Sequence, residues 1–163
     1  AFYQEGRVLY WTRAVLVGTF DDYLLPHGSY LDVVNYIKQH SEPGDRIFVW
    51  GDGGYLYYFS GRRPGIFHMW PKGSIYQIKK AYQSGDKAGI ESASGIEKYF
   101  IDQLDMYKPL FVIDTSGNGL SLFSIPISSA PQVYNHVLKE YVFADRVSKM
   151  DIYIRKDNAA KAR

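Results

Sequence analysis

Three short apolar runs, residues 47–50, 66–70 and 110–113, are separated by segments whose apolar positions recur at helical spacing. A run of four or five apolar residues without period-two alternation suits a strand buried on both faces. Strands of that kind need helices on each side, so the alternation points to an α/β chain with a mostly parallel sheet. With 163 residues the chain buries roughly 69% of its unfolded surface on folding, enough for one core and short of two.

Three helices announce themselves by a side-chain acceptor followed three residues later by a polar partner, the pattern that satisfies orphan N-terminal amides. The first spans 29–40, with Ser29 and Asp32 at its start, Tyr30, Val33, Val34 and Ile37 on one face, and Pro43-Gly44 beyond its end. The second opens at Ser94 with Glu97, aligns Ile96, Phe100, Leu104 and Tyr107, and ends before Pro109. The third opens at Ser129 with Gln132, places Pro131 in its first turn, and aligns Val133, Val137, Leu138 and Tyr141. Residues 142–147 and 151–155 follow without room for a helix between them, so they read as a closing antiparallel pair. Residues 71–93, rich in charge and glycine, read as an exposed excursion, and 157–163 as a solvated tail. The expected architecture is a three-layer, Rossmann-like sandwich over 29–156, with an antiparallel C-terminal edge and an N-terminal segment 1–28 outside it.

Composition removes several classes of function. A net charge of +2 announces no nucleic-acid surface, and the absence of cysteine removes disulfides, zinc thiolates and thiol nucleophiles. The longest uncharged stretch, between Asp114 and Lys139, is broken by Ser, Gly, Asn and Pro, so no spanning helix is expected, and no leader peptide is visible at Ala1. Aromatic residues are abundant at 17%, a surplus that suits sugars, membrane interfaces or a core.

The densest local signal is Trp50-Gly51-Asp52-Gly53-Gly54-Tyr55, where the first strand ends. A glycine-rich strand-to-helix turn suits a phosphate or carboxylate, or simply turns the chain. The dinucleotide fingerprint fails at Leu56, and no P-loop ending follows. Asp52 and Asp114 both stand where parallel strands end, the edge at which α/β sheets gather ligands; a carboxylate pair there suits acid–base work or a divalent ion, while the commoner use of each is a local turn cap. Arg62-Arg63-Pro64 offers a guanidinium pair for an anion, or surface charge. His27, His40, His68 and His136 lack metal-ligand spacing, and Ser116-Gly117-Asn118-Gly119 lacks a nucleophile elbow and reads as a flexible connection. Neither a zinc site nor a serine-hydrolase triad is expected.

Tyr36-Ile37, then Pro43-Gly44-Asp45-Arg46-Ile47-Phe48-Val49-Trp50-Gly51, then Tyr55-Leu56-Tyr57-Tyr58-Phe59-Ser60-Gly61-Arg62-Arg63-Pro64 resemble a known pattern. It is similar to the extracytoplasmic C-terminal domain of polytopic GT-C glycosyltransferases that use lipid-phosphate sugars, the protein-mannosyltransferase-like group. Phe100-Ile101, Lys108-Pro109-Leu110-Phe111-Val112-Ile113-Asp114, 141–147 and Ile152-Tyr153-Ile154-Arg155 agree in order, so the resemblance covers about 30–156. Oligosaccharyltransferases, a related branch, carry Trp-Trp-Asp-Tyr-Gly at a comparable turn; this chain keeps the Asp and the glycine-aromatic character and lacks the second Trp and the Tyr.

The resemblance implies a domain on the extracytoplasmic side of the cell membrane, joined to a transmembrane portion of the same polypeptide that holds the catalytic Asp. It implies a polyprenyl-phosphate-sugar donor and a protein or glycan acceptor as partners, without nucleic acid. No cofactor belongs to this chain, and a divalent metal is left to the full-length enzyme. Residues 8–11 with Arg13 then suit the edge of a membrane segment, or an ordinary packed one. Position transfer makes Asp52 and Tyr55 acceptor contacts, beside Arg62, Arg63 and Asp114 from the residue reading. The competing expectations are a free-standing α/β protein that binds a nucleotide or phosphate ligand, and an assembly module without a substrate.

Overall fold

The computed structural model describes residues 29–51, 53–66, 72–118 and 124–162. Residues 1–28, Asp52 and most of the expected strand at 66–70 lie outside them. The elements in order are α1 (Ser29–Gln39), β1 (Arg46–Trp50), α2 (Gly54–Ser60), β2 (Arg63–Pro64), α3 (Lys72–Ser84), α4 (Lys87–Tyr107), β3 (Phe111–Asp114), α5 (Pro131–Glu140), β4 (Tyr141–Val147) and β5 (Met150–Arg155). Single 3-10 turns cover Ser116–Asn118 and Ile127–Ser129, and a longer one, Lys156–Ala162, stands where a solvated tail was expected. Ala159 packs there against the core.

The five strands form one open mixed sheet in the order β2-β1-β3-β5-β4. β1 runs parallel to β2 and β3, whereas β5 runs antiparallel to both β3 and β4. The apolar runs suggested a mostly parallel sheet; it is instead evenly mixed, with two parallel and two antiparallel pairings. Two causes account for this. The strand beside β1 is only Arg63–Pro64, and a proline, which lacks the N–H a ladder needs, sits at the sheet edge. The β4–β5 hairpin, closed by Ser148 and Lys149 at φ 47° and 68°, supplies the other two strands.

Both faces of the sheet are apolar, which explains the uninterrupted runs. Ile47, Val49, Phe111, Ile113, Ile152 and Ile154 face α1 and α2, meeting Val33, Val34, Ile37 and Leu56. Phe48, Trp50, Val112 and Tyr153 face the other way, toward Ile75 and Ile78 of α3, Phe100 and Leu104 of α4, and Val133 and Val137 of α5. Fully buried aliphatic and aromatic side chains of this kind each contribute about 1.5–3 kcal/mol.

The helix starts differ from the expected ones in an instructive way. Residues 71–93 are not an excursion: α3 and the first turns of α4 occupy them, and Ile75 and Ile78 are fully in the core. The cap of α4 is Asp86, which accepts from the Gly89 N–H at 2.8 Å, eight residues before Ser94. Ser94 lies inside the helix and accepts from the Gln132 side-chain amide at 2.7 Å. Helix α5 follows the turn Ile127–Ser129 and has no side-chain cap of its own. Its orphan Gln132 N–H donates instead to Oε1 of Glu97, a fully buried carboxylate of α4, at 2.9 Å. At the start of α1, Asp32 accepts from the Ser148 hydroxyl at 2.6 Å, tying that helix to the hairpin turn.

Candidate functional site

The chain reverses its direction of travel across the sheet at β1. From β1 it passes through α2 to β2 on one side, and then returns through α3 and α4 to β3 on the other. The carboxyl ends of β1 and β3 thus form a switch point, where α/β sheets leave a crevice. The two ends are tied together, because Thr115 donates to Trp50 O through its N–H at 3.1 Å and through its hydroxyl at 3.0 Å. Gly51, at φ 108°, faces the Thr115 hydroxyl so closely that a Cβ would lie 2.4 Å from it. A Cβ on Gly53 would lie 2.3 Å from Val49. Close packing is thus a sufficient reason for both glycines, and α2 has only seven residues.

Beyond this junction lies a cleft of about 330 Å³, walled by β3, the 126–128 segment, Tyr134 of α5 and the β4–β5 hairpin. Register builds its floor. Trp50 pairs with Asp114, Asp114 with Asp151, and Asp151 with Arg146, so one row crosses β1, β3, β5 and β4 on a single face. Two carboxylates directly opposite each other repel, and Arg146 offsets this by holding both Asp151 oxygens, through Nε and through Nη2, the latter at 3.0 Å. Asp114 is 5% exposed and takes two backbone N–H groups, Ser116 on Oδ1 at 2.9 Å and Ile127 on Oδ2 at 2.8 Å. Burial pushes its carboxyl above the usual aspartate range, with the Asp151 charge adding to the rise and the two N–H groups opposing it. Both oxygens being engaged, its first role is to shape the wall. Burial likewise pushes the Tyr153 phenol up to about 12, so it stays a neutral donor at physiological pH.

Of the expected site residues that are described, only Asp114 lines this cleft. Asp52 lies outside the described residues. Tyr55 is 36% exposed on the first turn of α2, its ring 6.1 Å from that of Tyr30. Arg62 and Arg63 stand at the amino edge of the sheet, since Arg63 pairs with Arg46 at the start of β1. Arg63 is exposed. Arg62 is 91% buried and staples two helix ends: Nε donates to the Ser41 hydroxyl at 2.8 Å, Nη2 to Ser41 O at 2.7 Å and Nη1 to Ser60 O at 2.9 Å. The partial negative charge at those ends balances the guanidinium. The loop at Ser116 is held too, because a Cβ on Gly117 would lie 2.1 Å from Lys149 O.

Arg146, Lys149, Asp151, Tyr134 and Tyr153, which complete the cleft, were not among the expected residues. The available signal was the polar cluster Asp145-Arg146 and Asp151 flanking a two-residue turn, residue types that a purely structural hairpin does not require. Among the described residues no group of three or more His, Asp or Glu side chains is placed to hold a metal ion, and no helix is long and apolar enough to cross a membrane. No protein-family model, no curated protein and no solved structure matches the chain.

Proposed function

We propose that the chain is the extracytoplasmic domain of an integral-membrane glycosyltransferase that uses a lipid-phosphate-linked sugar, and that it binds acceptor or donor while the transmembrane portion of the polypeptide carries out transfer. The observation in support is that the segments bearing the resemblance, 43–51, 108–114, 141–147 and 152–155, supply β1, β3, β4 and β5, four neighbouring strands of the sheet, the last three of which line the cleft. On this reading the architecture is a Rossmann-like three-layer sandwich. The cleft is a binding surface, since its one deeply buried carboxylate already accepts from two backbone amides. Transfer needs a positioned base and a held donor phosphate, which the membrane portion supplies.

The complete reading frame tests this first: hydrophobic spans joined to these residues are expected, and a frame without them removes the reading. Sugar transfer from a polyprenyl-phosphate sugar is then expected from membranes holding the complete polypeptide and not from the purified 163-residue chain. A second reading, a free-standing α/β protein for nucleotides or phosphate ligands, draws on Arg146 and Lys149 at the carboxyl edge. Saturable heat on titrating the purified chain with a nucleotide would favour it.

A further inference from the structure

We infer that the cleft at the carboxyl end of β3, beside the β4–β5 hairpin, is a saccharide site, taking the uncharged sugar part of donor or acceptor and not its phosphate. The inference rests on the binding role proposed above and names the chemistry of what is bound.

Charge is the first argument. Among the described residues, the charged groups on the wall are two carboxylates, Asp114 and Asp151, against two cations, Arg146 and Lys149. A phosphate is favoured by surplus positive charge or by a cluster of unspent amides, and here the guanidinium already lies against a carboxylate. A bare cation fares no better, because Asp114 is occupied by two backbone amides and Asp151 by Arg146.

Spare hydrogen-bonding capacity is the second. A carboxylate offers about four acceptor positions and a guanidinium five N–H donors. The pair Arg146–Asp151 uses two of each, so free acceptors on Asp151 lie beside free donors on Arg146. Neighbouring hydroxyls of a sugar ring present the complementary pattern: one donates to the carboxylate while the next accepts from the guanidinium. Ser128 lines the same cleft and can act in either sense, and Ser116, whose hydroxyl already bonds Asp114, can still accept. Tyr134 and Tyr153 add an apolar body with a polar tip, and Tyr153 is braced edge-on by Phe143 with ring centres 5.9 Å apart.

Rigidity is the third. Weakly held neutral ligands need walls already in place, because ordering a loop would consume the little binding energy available. Trp50 Nε1 holds Ile125 O at 3.0 Å, Asp114 holds Ile127, and Gly117 seats against the hairpin turn. The volume, about 330 Å³, falls at the small end of ligand pockets, fitting one or two sugar rings.

The test is an amide-resolved NMR titration of the purified chain with methyl mannoside, methyl glucoside, N-acetylglucosamine and mannobiose, with inorganic phosphate and mannose 1-phosphate alongside. Saturable shifts at Ser116, Gly117, Ser128 and Lys149 are expected with at least one neutral sugar and not with inorganic phosphate, and mannose 1-phosphate should bind no tighter than methyl mannoside. Arg146→Met and Asp151→Asn, changes at exposed or half-buried positions, should weaken binding about tenfold. Unchanged spectra away from the hairpin show that the variants fold. The inference is overturned if no neutral sugar gives saturable shifts, if inorganic phosphate moves the same amides, or if Arg146→Met binds like the parent chain. A reading frame without membrane spans would remove the membrane-enzyme role and leave the titration result standing, so the two failures are separable.

Discussion

Trp50 and Asp114 stand opposite each other in the β1–β3 pair and grip the same short segment: the indole N–H donates to Ile125 O at 3.0 Å, and Asp114 Oδ2 accepts from the Ile127 N–H at 2.8 Å. One in-register pair therefore fixes the wall of the cleft to the floor of the sheet. The switch point and the 125–127 segment form one mechanical unit.

That unit makes a stability prediction. Asp114→Ala strands a buried N–H at Ile127 and should lower stability by about 1–3 kcal/mol, while Trp50→Phe should lose about 1 kcal/mol of hydrogen bond in addition to its packing. Because both act on one segment, the double variant should lose less than the sum. Urea denaturation of the four proteins measures the coupling; strict additivity would mean that the two grips are independent.

Asp114 also predicts a pH dependence with a definite sign. Its folded-state carboxyl is raised above the ordinary value of 3.8, chiefly by burial. Between that value and the raised one, the native state binds more protons than the unfolded state, so the contribution of Asp114 to stability falls as pH rises through this window. Asp114→Asn keeps an acceptor and removes the titration. The stability of the parent chain relative to Asp114→Asn should therefore decline from acid pH upward and level off above the folded-state pKa. A difference that grows more favourable to the parent as pH rises would contradict the burial argument.

The two neighbouring arginines should behave oppositely. Arg62→Ala removes three bonds to buried or half-buried oxygens at the ends of α1 and α2, and should destabilise by about 2–4 kcal/mol. Arg63→Ala, exposed on the two-residue edge strand, should stay within about 0.5 kcal/mol. Thermal unfolding of both variants tests this. Equal, small effects would return Arg62 to the set of residues free to meet an anion.

How much of this was legible depended on whether a residue's role is local. The apolar runs 47–50 and 110–113 disclosed central strands, because burial on both faces leaves a mark in every residue of the strand. The face of α1 was equally plain from Tyr30, Val33, Val34 and Ile37. The antiparallel pairing of 142–147 with 151–155 was legible as well, from the lack of room for a helix between them. The balance of the sheet was not, since the strand that flanks β1 on its outer side is only Arg63–Pro64, with no apolar run to announce it. Asp114 was found because the end of a strand is visible in sequence. Arg146 and Asp151 were not, because their proximity to Asp114 arises from register between strands far apart in the chain. Arg62 looked like a ligand for a similar reason: the helix ends it joins become neighbours only after folding.

Glu97 carries the last expected outcome. Sequence spacing pairs it with Ser94 in a capping box, yet the folded protein uses it between helices. Its Oε1 accepts from Gln132 N at 2.9 Å at the start of α5, and its Oε2 accepts from the Tyr82 hydroxyl of α3 at 2.6 Å, joining three helices through one fully buried side chain. A carboxylate at the N-terminus of α5 also meets the positive end of that helix. Glu97→Ala removes the cap, leaves the Tyr82 hydroxyl with the Gln132 side chain alone and opens a cavity, which together should destabilise by about 3 kcal/mol or more. Glu97→Gln keeps the carbonyl oxygen for Gln132 and turns its amide toward Tyr82, whose hydroxyl can accept, so the loss should be about 1 kcal/mol, that of the charge alone. Ser94→Ala, at an exposed bond, should cost under about 1 kcal/mol, and Asp86→Ala, at the true start of α4, about 1 kcal/mol. Chemical denaturation of the four variants distinguishes the two assignments: a capping box would make Ser94→Ala and Glu97→Ala comparable, whereas the inter-helix cap makes Glu97→Ala several times more damaging.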